Sequence, residues 1–384
     1  MTTASNALSK PHTVWIFAGE SSGDLYGARL ARELLRQASG LRLRGMGSHA
    51  MREAGVDLIV DSSELGVVGL VEVFKHIFTF YRIFHDLVRR AAAERPDAIV
   101  LIDYPGFNLR FAKQMKTLGI PVVYYISPQV WAWGRRRIPE IARTVRRMLV
   151  IFPFEPEVYA GTSLDVRFTG HPLLEILAEK RSPALARDPH TILLLPGSRV
   201  SEIDRLLPDV ARTAAALRER HPERRFILAA PNPRIADLCR ERLGALGPAV
   251  AAASIEVVVG ETQRWMQKAA VGLAASGTVT MEAAILGLPL VVVYRVNAIT
   301  YWLGRMVVKL PHFTIVNLVA KRLVFEEFLQ GNVTARVLAP ALERILPGGE
   351  RHAEVEAGMR DAVASLGEAR PASANAAAAV LELI

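Results

Sequence analysis

The chain reads as an α/β protein built from two doubly wound parallel sheets in series. Two observations predict this. Short apolar runs alternate with helix-length amphipathic segments through the first half, and the same alternation restarts near residue 190. Strands buried on both faces by crossover helices show as continuous apolar runs, whereas half-buried antiparallel strands alternate. The length of 384 residues, half of them apolar, suits two cores of ordinary size.

Each element follows in order. TVWIFA at 13–18 is a buried strand, GESSGD is a small-residue loop, and 25–37 has helical spacing. AIVLI at 98–102, PVVYYI at 121–126 and the run 148–152 are further strands, with helix-length segments between them. In the second half the strands are 191–195, 225–229, 255–259, 271–274 and 290–293. The junction falls at TGHPL, 169–173, giving an N-terminal domain at 1–170 and a C-terminal domain at 171–352. After the break LPGGE come an amphipathic helix at 353–366 and an alanine-rich helix at 372–384. By analogy with two-Rossmann transferases, 353–384 is expected to rejoin the first domain.

Composition narrows the class. A single cysteine, Cys239, excludes an internal disulfide framework and fits a reducing compartment. The polar start lacks the apolar segment of a signal peptide, and no run of eighteen apolar residues predicts a transmembrane helix. The net charge of +9 suits phosphorylated or anionic-lipid partners, or a solvated arginine-rich surface. No nucleic-acid-binding module is present, and no nucleic-acid partner is expected.

The motifs lie where strands end and helices begin, the edge at which open α/β sheets bind ligands. In AGESSGD, Gly19 and Gly23 admit close backbone approach and Glu20 can accept hydrogen bonds from sugar hydroxyls; an ordinary turn with Asp24 capping the helix reads equally well. In LIDYPGFN, Asp103 directly follows a buried strand, a costly placement without partners or a task. It is a candidate general base, or a helix cap. In YYISPQVWAWGRRR, Trp131 and Trp133 suit sugar faces or a gap between domains. Arg135 opens a basic run suited to phosphate or lipid heads, or to a solvated helix face.

Two turns open helices in the second half. LLLPGSR places Gly197, Ser198 and Arg199 at a helix start, where backbone N–H groups attract phosphate and arginine pairs with a pyrophosphate. AASGTVTMEAA places Ser276, Gly277 and Thr278 at another, with Glu282 further along to take both ribose hydroxyls. Together they predict a nucleoside-diphosphate site. Asn317, Glu327 and Gln330 are polar groups in an apolar context, suited to sugar or uracil contacts or to capping.

The segment 67–90 sets Phe74, Phe78, Tyr81 and Phe84 on one broad apolar stripe with basic residues beside it. That suits an interfacial helix or an acyl-chain groove; a core helix is the alternative.

AGESSGD, IDYPGFN, SPQVWAW, FPFE at 152–155, TGHP, LLPGSR, ASGTVTMEA and the segment 317–330 occur in this order over nearly the whole chain. So arranged, the sequence resembles the lipid-A-disaccharide synthase family of two-Rossmann (GT-B) glycosyltransferases. Pro105 and Gly106 after IDY depart mildly from that pattern. The resemblance implies two domains facing each other and inverting transfer of 2,3-diacylglucosamine from UDP to 2,3-diacylglucosamine 1-phosphate (lipid X). The products are the β-1,6 disaccharide phosphate and UDP. It puts Asp103 and Glu20 at the catalytic centre, and the two glycine turns, Glu282 and Asn317 to Gln330 at the nucleotide sugar. Phe74, Phe78, Tyr81, Phe84, Trp131, Trp133 and Arg135 fall on the acceptor and membrane side. It further implies no cofactor and no required metal, in keeping with the lack of an Asp-x-Asp triplet. The expected location is the cytoplasmic face of an anionic inner membrane, with a homodimer through the C-terminal segment as a further expectation. The competing readings are a UDP-GlcNAc 2-epimerase, the transferase that makes lipid II, and a non-catalytic nucleotide-sugar sensor.

Overall fold

The computed structural model describes residues 12–62, 70–132, 134–296, 312–368 and 370–384, and the side chains of 70–77 fall outside that description. The chain forms two compact units. The first comprises 1–175 and 366–384, the second 176–365.

The first unit runs β1 (Thr13–Ala18), α1 (Ser21–Gln37), β2 (Arg42–Gly47), α2 (His49–Glu53), β3 (Asp57–Asp61), α3 (Leu70–Glu94), β4 (Ala98–Ile102) and α4 (Pro105–Leu118). It continues with β5 (Val122–Tyr125), α5 (Ile138–Thr144), β6 (Arg147–Val150), α6 (Glu155–Val158) and β7 (Asp165–Phe168). The seven strands pair in parallel in the order β3-β2-β1-β4-β5-β6-β7. Strand order therefore reverses between β1 and β4. Trp15, Phe17, Ile99, Leu101, Phe111 and Tyr124 fill one core, joined by Leu87 and Ala91 of α3. Each large buried side chain contributes about 1.5–3 kcal/mol of transfer free energy.

Helix α7 (Pro172–Lys180) carries the chain into the second unit. There follow β8 (Asp188–Leu195), α8 (Val200–Arg220), β9 (Arg225–Ala230), α9 (Pro233–Gly244), α10 (Pro248–Ala252), β10 (Glu256–Val259), α11 (Thr262–Lys268) and β11 (Ala269–Ala275). The unit closes with α12 (Thr278–Leu286), β12 (Leu290–Tyr294), α13 (Ile315–Ala320), β13 (Glu326–Leu329), α14 (Ala335–Ile345) and α15 (His352–Ala364). Six parallel strands run β10-β9-β8-β11-β12-β13, so this sheet reverses between β8 and β11.

The tail divides. α15 belongs to the second unit, where Gly358 lies so close to Val324 that a Cβ would meet it at 2.8 Å. α16 (Ala372–Leu381), within 366–384, returns to the first unit. Asn375 donates to the Thr169 carbonyl at 3.0 Å and the Ser373 N–H donates to Glu175 at 3.0 Å. Buried Arg147 reaches Asp165 at 2.6 Å and the Ala379 carbonyl.

Candidate active site

In the first sheet Ala18 pairs with Ile102, so the next residues, Gly19–Glu20 and Asp103, emerge side by side at the carboxyl edge of the reversal. Asp103 and Tyr104 both adopt the left-handed conformation, with φ of 45° and 47°. Such backbone costs of order 1–3 kcal/mol per residue and persists only where neighbours enforce it. Here the Asp103 N–H donates to the Tyr125 carbonyl at 3.0 Å. The Asp103 carbonyl accepts from the Tyr124 hydroxyl at 2.6 Å and from Asn108 Nδ2 at 2.7 Å. Asn108 is fully buried and also ties to the Ile102 carbonyl. The Tyr104 ring covers Gly19 so closely that a Cβ there would meet it at 2.4 Å, which is why this loop needs glycine.

Burial, and then the Glu20 charge, push the Asp103 carboxyl up to about 6, against the pull of the Tyr104 N–H. Glu20 itself is exposed. Burial and the Asp103 charge raise the Tyr124 hydroxyl well above its ordinary value, so it stays a donor.

A second buried carboxylate lies in the same unit. Glu155 is 1% exposed, and its Oε2 accepts the N–H groups of Ile151 at 3.1 Å and Phe152 at 3.0 Å. Burial pushes it up to about 7, opposed by those two N–H groups and by the Trp131 indole. Trp131 is half-buried, edge-on to Phe154 at 5.1 Å and to Phe152 at 6.0 Å, and so packs within its own unit. The hydroxyls of Tyr159 and Ser127 pair at 2.7 Å in the same unit. Arg135 is exposed on a 3₁₀ turn, Arg135–Arg137, and Trp133 lies outside the described residues.

In the second sheet Leu195 pairs with Ala274, so the turns at Gly197–Arg199 and Ser276–Thr278 flank the reversal. Gly277 and Thr278 are exposed and, among the described residues, no side chain caps the start of α12. The start of α8 differs, because Glu202 accepts the Ser198 N–H at 2.8 Å. Glu282 is half-buried in α12 and accepts from Gln263 at 2.9 Å.

Three expected ligand contacts have other partners. Asn317 is fully buried; its amide donates to the Phe325 carbonyl and Glu327 and accepts from the N–H groups of Val324 and Phe325. All four of its bonding positions are thereby filled, so it holds the loop before β13. Glu327 accepts from the Thr314 N–H and hydroxyl, each at 2.7 Å, and so ties down the start of α13. Gln330 grips Val296 by both backbone groups, at 2.8 and 2.9 Å.

Helix α3 also divides. Phe78 is 82% and Tyr81 66% exposed, with Arg82 and Arg89 on the same exposed side. Phe84 turns inward, edge-on to Phe107 at 5.4 Å and Phe111 at 5.9 Å. The apolar stripe of α3 is thus exposed at Phe78 and Tyr81 and packed on the core at Phe84, which the resemblance had put on the acceptor and membrane side. The Phe74 side chain lies outside the described residues.

Asn108, Tyr124, Glu155 and Glu202 received no role from sequence reasoning. Only Glu202 carried a usable signal, a glutamate three residues after a helix cap.

Two all-parallel doubly wound units in series, each with its motif turns at the strand reversal, define the GT-B fold. A family model described as lipid-A-disaccharide synthetase matches residues 14–381. A lipid-A-disaccharide synthase of Geobacter metallireducens is 41% identical over 97% of both chains. One of Myxococcus xanthus is 37% identical over 98% of this chain and 99% of its own. The chain belongs to the lipid-A-disaccharide synthase family of glycosyltransferases. Among solved structures, the kitacinnamycin glycosyltransferase superposes with a TM-score of 0.61 at 17% identity, covering 98% of this chain and all of that one. The UDP-GlcNAc 2-epimerase of Neisseria meningitidis bound to UDP-GlcNAc reaches 0.58 at 12% identity, over 97% and 98% of the two chains. Likeness at that identity shows the fold alone.

Proposed function

We propose that this enzyme moves a 2,3-diacylglucosamine unit from UDP to the 6-hydroxyl of 2,3-diacylglucosamine 1-phosphate, with inversion. The observation that carries this reading is the strained, half-buried Asp103 beside Glu20 at the reversal of the first sheet. Asp103 takes the proton of the acceptor hydroxyl, whose oxygen forms the new bond to the anomeric carbon. The bond from that carbon to the phosphate breaks, and UDP leaves with the electron pair. The uncapped start of α12 receives the developing diphosphate charge, and Glu282 receives the ribose. A UDP ligand is in keeping with the epimerase of the same fold that was solved with UDP-GlcNAc.

Both substrates carry acyl chains, so the enzyme works at an anionic membrane surface, on the cytoplasmic side of the inner membrane. Exposed Phe78 and Tyr81 beside Arg82 and Arg89 support that reading. Among the described residues no helix is long and apolar enough to cross a membrane. Arg135 is proposed to meet acceptor or lipid phosphate. An exchange of α16 between two copies would give the expected homodimer; in this chain α16 docks on its own α1.

Incubation with UDP-diacylglucosamine and lipid X tests the function. The reading predicts UDP and a disaccharide 1-phosphate in equal amounts. Release of UDP without disaccharide, or conversion of the donor sugar to an epimer, would refute it.

A further inference from the structure

The start of α8 is occupied by an anion of the protein's own. Glu202 turns back so that Oε2 accepts the N–H of Ser198 at 2.8 Å and of Arg199 at 3.3 Å. Its Oε1 lies 3.7 Å from the Arg199 guanidinium. The side chain lies over Gly197, where φ is +128° and a Cβ would meet Glu202 Cβ and Oε2 at 2.5 Å. Burial and the Glu202 charge raise the Tyr294 hydroxyl at the end of β12, while Arg199 and Arg205 lower it, so all four groups share one neighbourhood.

These amides are the donors that a phosphate would use at this turn. Neighbouring N–H groups at a helix start need an anion, and an intramolecular carboxylate supplies one. A ligand diphosphate cannot share them with it, because two anions on the same donors repel. The Glu202 side chain is 31% exposed and can swing away without opening the core.

We propose that Glu202 is the resident anion of the Gly197–Arg199 turn, holding its amides in donor geometry in the free protein and giving way to the diphosphate of a bound nucleotide. This deepens the reading of the second unit as a nucleoside-diphosphate site and rests on it. The exchange weakens diphosphate binding and so favours release of the product nucleotide. It also makes Glu202 a determinant of how much the second phosphate adds to affinity.

Titration calorimetry on the full chain with UDP and UMP tests the proposal in wild type, Glu202→Gln and Glu202→Asp. Glutamine keeps an acceptor oxygen without the charge, and aspartate keeps the charge but falls a methylene short of the Ser198 N–H. Charge-assisted hydrogen bonds are roughly twice as strong as neutral ones, so both variants should bind UDP about five-fold tighter. UMP affinity should change by less than about two-fold, and the glutamine gain should shrink as salt rises. Circular dichroism establishes that each variant is folded, and if glutamine prevents folding the aspartate variant decides. Unchanged or weaker UDP binding overturns the proposal and leaves Glu202 a permanent cap. Equal tightening of UDP and UMP overturns it too, since the effect would not then lie at the second phosphate. A wild-type protein that binds neither nucleotide refutes the reading of the second unit itself, and the proposal with it.

Discussion

Two carboxyl groups in the first unit sit far above their ordinary range, and each sets a pH dependence with its own sign. Asp103 must be ionised to act as a base, so turnover should rise with pH through about 6 and flatten above it. The Glu20 charge is one cause of the high value. Glu20→Gln should therefore move the inflection to lower pH, and a pH–rate profile with an unmoved inflection would contradict the pairing. Glu155 affects stability instead. Its carboxyl is raised from 4.5 to about 7, so the folded protein holds a proton that the unfolded chain has lost. Stability should fall as pH rises from about 4.5 to about 7 and level off above, by a total on the order of 3 kcal/mol. Glutamine in its place can still accept from the Ile151 and Phe152 N–H groups. Denaturant melts of Glu155→Gln should lose most of that slope, and a slope identical to wild type would show that Glu155 titrates normally.

At the scale of elements, burial decided what could be read from the sequence. β4, β5, β11 and β12 stand out because long apolar runs are buried on both faces. β2, β3, β7 and β13 escaped because each carries charges, and those charges find partners. Arg44 in β2 meets Asp57 in β3 at 2.7 Å, Asp165 in β7 meets Arg147, and Glu326 in β13 meets Arg344 at 2.7 Å. Three of these four strands lie at sheet edges, where charged residues are common. The stripe on α3 was legible as apolar, but its period could not say which side covers the core. The structure separates the two sides, and the separation gives a prediction. Phe78→Ser with Tyr81→Ser should weaken flotation with anionic liposomes and leave the melt within about 0.5 kcal/mol of wild type. Phe84→Ser should cost about 3 kcal/mol of stability, because it removes a ring packed on Phe107 and Phe111. Liposome binding that survives the double variant would remove this helix from the membrane side.

At the scale of the whole molecule, the same wiring occurs twice, and in each unit the sequence motifs meet at the strand reversal. Glu20 with Asp103, and the Ser198 turn with the Ser276 turn, were legible because strand ends and helix starts fix where loops must emerge. The positions of Asn317, Glu327 and Gln330 were not. Most of their partners are backbone groups of loops whose path no local pattern specifies.

The central claim is that Asp103 acts as the base of a glycosyl transfer whose nucleotide is held by the second unit. Single-turnover disaccharide formation by Asp103→Asn, alongside UDP binding by the same preparation, tests it most directly. The account predicts a rate lowered by roughly 10²–10⁴ with UDP affinity unchanged. A rate near wild type with the same pH profile would contradict it.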